Sequence, residues 1–93
     1  MAKYYHVSFN FEGRKAPTDA ITQVLNKALD WVNYAPNCWI IYSRRDEAEH
    51  WYTRLKKIVH NDDSIFVCEL NIENKQGWLP TNVWDWLNKN RDG

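Results

Sequence analysis

Val32-Asn33-Tyr34-Ala35-Pro36-Asn37 decides which of two folds the 93-residue chain builds. Upstream of it, Ile21, Val24, Leu25, Ala28, Leu29, Trp31 and Val32 recur at helical spacing, which predicts an amphipathic helix from Asp19 to about Trp31. Gln23, Asn26, Lys27 and Asp30 form its wet side. Pro36-Asn37 favours a turn, and proline suits an edge or turn position, so Val32 to Tyr34 reads as a short edge strand. If the same three residues are helical, the chain forms a simple alternating three-stranded α/β layer instead.

Working outward, Cys38-Trp-Ile-Ile-Tyr-Ser43 is a nearly continuous apolar run of strand length and is expected to be central in a sheet. At the N-terminal end, Lys3-Tyr-Tyr-His-Val-Ser-Phe-Asn-Phe11 alternates with a period of two. Tyr5, Val7, Phe9 and Phe11 form an apolar face, and Tyr4, His6, Ser8 and Asn10 a mixed, polar one. A charged loop, Glu12 to Pro17, leads to Thr18 or Asp19 as the N-cap of the first helix. On the other side, Asp46 with Glu49 resembles a capping box. Ala48, Trp51, Tyr52, Leu55, Ile58 and Val59 mark the buried face of a second helix reaching about His60. After the polar turn Asn61 to Ser64, residues Ile65 to Ile72 read as a strand. Phe66, Cys68, Leu70 and Ile72 lie on one of its faces, with Ile65, Val67, Glu69 and Asn71 on the other. Gly77-Trp-Leu-Pro80 leads into a short last helix capped by Thr81, carrying Val83, Trp84, Trp86 and Leu87. The resulting order predicts one domain over residues 1–93, of α+β class. It is a ferredoxin-like β-α-β-β-α-β antiparallel sheet with two helices on one face and an appended C-terminal helix.

Twelve basic side chains balance twelve acidic ones, so the basic excess typical of a protein that lives by phosphate neutralisation is missing. Six tryptophans in so short a chain exceed the needs of one core and point to a partner or dimer interface. Cys38 and Cys68, each within an apolar run, read as small buried thiols rather than a disulfide framework. With no apolar signal region in Met1-Ala-Lys-Tyr-Tyr-His6 and no run of membrane-spanning length, a reduced, cytoplasmic protein without membrane contact is expected.

Metal and nucleophile signatures are thin. His6, His50 and His60 do not pair at helical spacing, and two scattered cysteines give no zinc spacing. No metal site and no cofactor are expected, and no catalytic residue is assigned. Asp62-Asp63 reads as a hydrophilic turn. Glu69 stands out as a carboxylate in an apolar strand that would join His6, Ser8 and Asn10 if it shares their sheet face. Arg44, Arg45, Arg54 and Lys57 are the candidate nucleic-acid contacts, with Lys56 nearby and Tyr42, Trp51 or Tyr52 for stacking. Asp46, Glu47 and Glu49 sit among them and oppose that field, so a solvated, mixed-charge helix is the plainer reading. Trp84 and Trp86, two apart on a short helix, are not expected to share one surface.

Taken in order, the first strand ending in a polar residue, Cys38-Trp-Ile-Ile-Tyr-Ser43, Ile65-Phe-Val-Cys-Glu-Leu70 and Gly77-Trp-Leu-Pro-Thr-Asn-Val-Trp-Asp-Trp-Leu87 resemble small SinR-like proteins. These are similar in fold to the small dimeric CRISPR-associated nuclease-fold family. The resemblance implies a homodimer and an association with CRISPR or toxin-antitoxin type systems. In the nuclease group an aspartate at the end of the first strand is the metal ligand, and Asn10 stands at the matching position. A neutral amide oxygen is a poor substitute for a bridging carboxylate on Mg²⁺. The expected function is therefore a binding module lacking nuclease activity, with Tyr4, His6, Ser8, Asn10, Glu69, Trp84 and Trp86 as its partner or dimer face. A metal-dependent endonuclease of RNA or DNA, using Glu69 or Asp62-Asp63, is one alternative. An inhibitor or immunity protein that caps a toxin or nuclease is another.

Overall fold

In the computed structural model, which describes residues 2–45 and 47–91, the alternation at the N-terminus becomes strand β1, Lys3–Asn10. Tyr5 and Val7 are fully buried and Phe9 nearly so, while Tyr4, His6 and Ser8 on the opposite face are half-buried. The elements that follow are α1 (Thr18–Leu25), β2 (Asp30–Ala35), β3 (Cys38–Ser43), α2 (Ala48–Lys56), β4 (Ser64–Leu70) and α3 (Thr81–Leu87). The chain is thus a small α+β domain. Among the described residues the strands form one four-stranded sheet in the order β2-β3-β1-β4, every neighbouring pair antiparallel. β1 and β2 flank β3, and β3 and β4 flank β1, so α1 and α2 each carry the chain over one intervening strand.

Residues 32–34 are strand, within β2, which settles the competition in favour of a four-stranded sheet. The preceding helix is shorter than its spacing suggests. α1 stops at Leu25, Lys27 and Ala28 close two tight turns onto the carbonyls of Val24 and Leu25, and the Leu29 amide already bonds Tyr42 of β3. Leu29, Trp31 and Val32 imitate a helical stripe only because a turn joins a helix face to a strand. Leu29 is about half exposed, Trp31 packs on one side of the sheet and Val32 on the other. Asn37 closes the hairpin with a left-handed backbone, φ 61°, which asparagine tolerates better than most side chains.

The caps also differ. Pro17, rather than Thr18 or Asp19, holds the N-cap position of α1, and Pro80 rather than Thr81 that of α3, neither with a side-chain cap bond. Glu47 precedes α2 in extended conformation; the capping role expected of Asp46 lies outside the described residues. α2 ends at Lys56, short of His60, and β4 ends at Leu70, short of Ile72.

Two apolar clusters use the two faces of the sheet. Tyr5, Val7, Phe9, Trp39 and Ile41 pack under Ile21 and Leu25 of α1 and Trp51 and Leu55 of α2. This is the two-helix layer foreseen from the pattern. On the opposite face Val32 and Ile40 pack under Val83 and Leu87 of α3, with Tyr4, Tyr34, Leu70 and Ile72 around them. The appended helix therefore closes part of the face that sequence reasoning left open.

Two buried side chains of the first core have hydrogen-bond partners, whereas the Trp39 indole N–H in the same cluster has none among the described residues. The Tyr5 hydroxyl donates to the Arg45 carbonyl at 2.8 Å, and the buried Trp51 indole donates to Ser43 Oγ at 3.0 Å. Ser43, itself 1% exposed, also accepts the Arg45 amide at 3.0 Å. Ser43→Ala strands a buried indole N–H and is expected to lower unfolding free energy by roughly 1–3 kcal/mol. Urea denaturation checks this, and a loss within about 0.5 kcal/mol, as for a neutral surface substitution, would show that the indole does not depend on Ser43.

Candidate functional site

The β1·β4 register decides which side chains share a surface. Tyr4 lies opposite Leu70, His6 opposite Cys68, Ser8 opposite Phe66 and Asn10 opposite Ser64. Across β3, Ser8 faces Cys38, His6 faces Ile40 and Tyr4 faces Tyr42. Since α3 covers the Val32–Ile40–Tyr4 side, the uncovered remainder of this face is a strip of Ser8, Asn10, Ser64, Phe66 and Cys68. Phe66 is 61% exposed, and Cys68 and Asn10 are exposed as well.

Of the sequence-predicted face, Tyr4, His6, Ser8 and Asn10 do lie on one side of the sheet, but Glu69 does not join them. Glu69 is directly opposite Tyr5, so period-two geometry puts it on the α1/α2 side. There, at the sheet edge, it pairs with Lys3 at 3.3 Å, both side chains well exposed. Trp84 and Trp86 are both half-buried against the α3 cluster, contrary to the expectation that one would be left toward solvent or a partner. Trp86 meets the Tyr4 ring edge-on, centroids 5.9 Å apart, and the Arg91 guanidinium stacks 4.3 Å over it. Arg91 also bonds Asp30 at 2.8 Å and the Trp86 carbonyl at 2.9 Å. This clamp holds the Trp86 indole of the seven-residue helix inward. Trp78, in the loop before α3, is the fully exposed tryptophan.

His6 is held between layers. Its Nε2 meets the Tyr34 hydroxyl, and burial lowers its pKa from the usual 6.5, which keeps the ring neutral at pH 7. Burial first, and then the adjacent Cys38 thiol, raise the Tyr34 phenol above its ordinary value. Cys38 and Cys68 are both free. Cys38 is half-buried as a small thiol should be, but Cys68 is exposed because β4 is an edge strand.

Asn10 is exposed at the end of β1, its amide 3.4 Å from Glu12 Oε2. The nearby Asp63 carboxylate is committed elsewhere. It accepts Arg14 Nε at 3.2 Å, the His60 amide at 2.8 Å and the Glu12 amide at 3.0 Å, with its side chain 1% exposed. Asp63 is thus the post that ties the β1–α1 loop to the α2–β4 turn. No three of His, Cys, Asp and Glu among the described residues are grouped so as to hold a metal ion.

At the far end of the domain, Arg44 and Arg45 are exposed after β3. A shallow groove on α2 is lined by Glu47, Glu49, His50, Thr53, Arg54 and Lys57. Arg54 Nε donates to His50 Nε2 at 3.1 Å. Burial, then the charges of Arg54 and Arg45, lower the His50 pKa. Of the four candidate basic contacts, Arg54 and Lys57 line this groove together with the two glutamates, whereas Arg44 and Arg45 do not line it.

Comparison with protein-family models, with curated proteins and with solved structures found no match to this chain. The class defined by fold and surface is a small α+β domain with an antiparallel sheet, one face sealed and the other half covered. Among the described residues, no helix is long and apolar enough to cross a membrane.

Arg14, followed by the His60 amide, holds the Asp63 carboxyl far below its ordinary 3.8. A depressed carboxylate contributes stability that is present above the unfolded-state pKa and is lost as pH falls toward the folded-state one. Asp63→Asn is therefore expected to lower Tm at pH 7 and to flatten the fall of Tm between about pH 4 and pH 2. Circular-dichroism melts over that range test it, and an unchanged slope would refute the assignment.

Proposed function

We propose that the chain is a small dimeric binding module of ferredoxin-like architecture, similar to SinR-like proteins, working in the cytoplasm without nuclease chemistry. The strand order supports the architecture. Each split β-α-β unit places its two parallel strands on either side of a strand from the other unit, and the observed order β4-β1-β3-β2 is what two interleaved units generate. The third helix corresponds to the Trp-rich segment that carries the resemblance.

Asn10 is the observation on which the functional reading rests. It occupies the end of β1, where the resemblance would require an aspartate, and Ser64 faces it across the sheet. Of the three carboxylates that could stand in for the missing one, Asp63 is engaged with Arg14 and Glu69 with Lys3 on the opposite side, while Asp62 is exposed in the α2–β4 turn. What is left at the uncovered strip is a partly apolar surface of Phe66, Cys68, Ser8 and Asn10, suited to contact rather than to hydrolysis. The mixed charge of the α2 groove weighs against nucleic acid as the main partner.

Purified protein incubated with Mg²⁺ or Mn²⁺ and mixed RNA and DNA is expected to show no cleavage above an Asn10→Ala control. Metal-dependent turnover that disappears in Asn10→Ala or Glu12→Gln would overturn the reading. Light scattering after size exclusion is expected to give twice the chain mass of 11.2 kDa.

A further inference from the structure

The two edges of the sheet are built differently. On β2 the pairing slips between Asn33 and Ala35, the Asn33 amide bonds the carbonyls of Ala35 and Cys38 at 2.8 Å, and Pro36 follows. A bulge and an adjacent proline blunt an edge against further pairing. β4, Ser-Ile-Phe-Val-Cys-Glu-Leu, has no bulge in its register with β1, no proline and no lysine, and it exposes Phe66.

Which backbone groups of β4 face outward follows from the sheet. The Phe9 amide donates to Asn37 of the β3 hairpin at 2.9 Å, so alternate residues Tyr5, Val7 and Phe9 of β1 bond toward β3. Tyr4, His6, Ser8 and Asn10 then bond toward β4. Their partners Leu70, Cys68, Phe66 and Ser64 face inward, which leaves the N–H and C=O of Ile65, Val67 and Glu69 aimed away from the sheet.

We propose that the β4 edge is a seam for a second copy of this chain, the two strands pairing antiparallel about a two-fold axis at Val67. This rests on the dimeric reading above and says where the dimer closes. A two-fold pair of these strands must oppose outward residues to outward residues, so an axis that engages at least two of the three passes through Phe66, Val67 or Cys68. With the axis at Phe66, Glu69 must pair with Asp63, whose amide is already bonded to the His60 carbonyl. With the axis at Cys68, Ile65 must pair with Asn71, beyond the end of the strand. Only the Val67 axis uses every outward group within the strand, Val67 against Val67 and Ile65 against Glu69 twice. It also sets each exposed Phe66 against Cys68 of the other copy. An isologous contact of this kind closes on itself and leaves no free edge to propagate, unlike capture of a foreign strand.

The Val67 axis places Phe66 and the other copy's Cys68 in a close, non-hydrogen-bonded pair, with like residues on a longer diagonal. Two proteins, both carrying Cys38→Ser, are compared: one otherwise unchanged, the other also Phe66→Cys and Cys68→Ser. Oxidised glutathione is expected to crosslink an equimolar mixture into unlike pairs and to leave each protein alone largely uncrosslinked. Crosslinking of the first protein alone would place the axis at Cys68, and of the second alone at Phe66; either overturns the proposal. A dimer by light scattering that crosslinks in no combination overturns the seam but spares the dimeric reading, whereas a strict monomer overturns both. Glu69→Pro removes an outward N–H that β1 does not use, and is expected to weaken the dimer roughly tenfold or more with an unchanged circular-dichroism spectrum. Unaltered dimerisation would again refute the seam.

Discussion

β1 is hydrogen-bonded on both sides, and its alternation of large apolar and mixed side chains is the constraint to which every other element conforms. A slip of one residue against β3 or β4 would carry Tyr5, Val7 and Phe9 out from under α1 and α2 and bury His6 and Ser8 in their place. Because each of those apolar side chains contributes on the order of 2 kcal/mol by its burial, the register is strongly specified. The same two-residue period then fixes the other face, where Tyr4 meets α3 and Ser8 and Asn10 are left uncovered.

That second face explains the distribution of tryptophan. Trp39 and Trp51 fill the core beneath the two long-range helices, while Trp84 and Trp86 attach α3 to the sheet. A helix this short has little stability of its own in water, so its position depends on tertiary contacts. Arg91 supplies one of these by spanning the Trp86 ring, the Tyr42 ring at 5.1 Å and the Asp30 carboxylate. A comparable clamp at the other end of the sheet joins Arg14 to Asp63 and stacks over Phe11 at 5.0 Å. Both charge pairs are partly shielded from solvent, and both close loops over the sheet ends rather than offer carboxylates to a ligand.

Much of the candidate surface was legible in the chain. Alternation alone placed Tyr4, His6, Ser8 and Asn10 together, and Phe66 with Cys68. Glu69 was ambiguous because its face depends on which β1 residue it opposes, and a strand's internal pattern carries no register. The end of α1 was misplaced for a related reason: over four or five residues, a helix–turn–strand junction and a continuing helix present almost the same apolar spacing. The value of Phe66 and Cys68 was missed altogether. Neither residue type signals exposure, and they become accessible only because β4 lies at the edge and α3 docks toward the opposite side.

The sequence by itself determined the existence of three helices and of the strands other than β2, the apolar face of β1, the turn at Pro36-Asn37 and the absence of a carboxylate at Asn10, since each follows from contacts within a few residues or from the identity of one side chain. Tertiary structure alone decided the strand order, the side of the sheet that holds Glu69, the burial of both Trp84 and Trp86, and the contrast between a bulged β2 edge and a bare β4 edge. Those properties depend on which distant segments become neighbours, and that is a matter of burying apolar area across the whole domain at once.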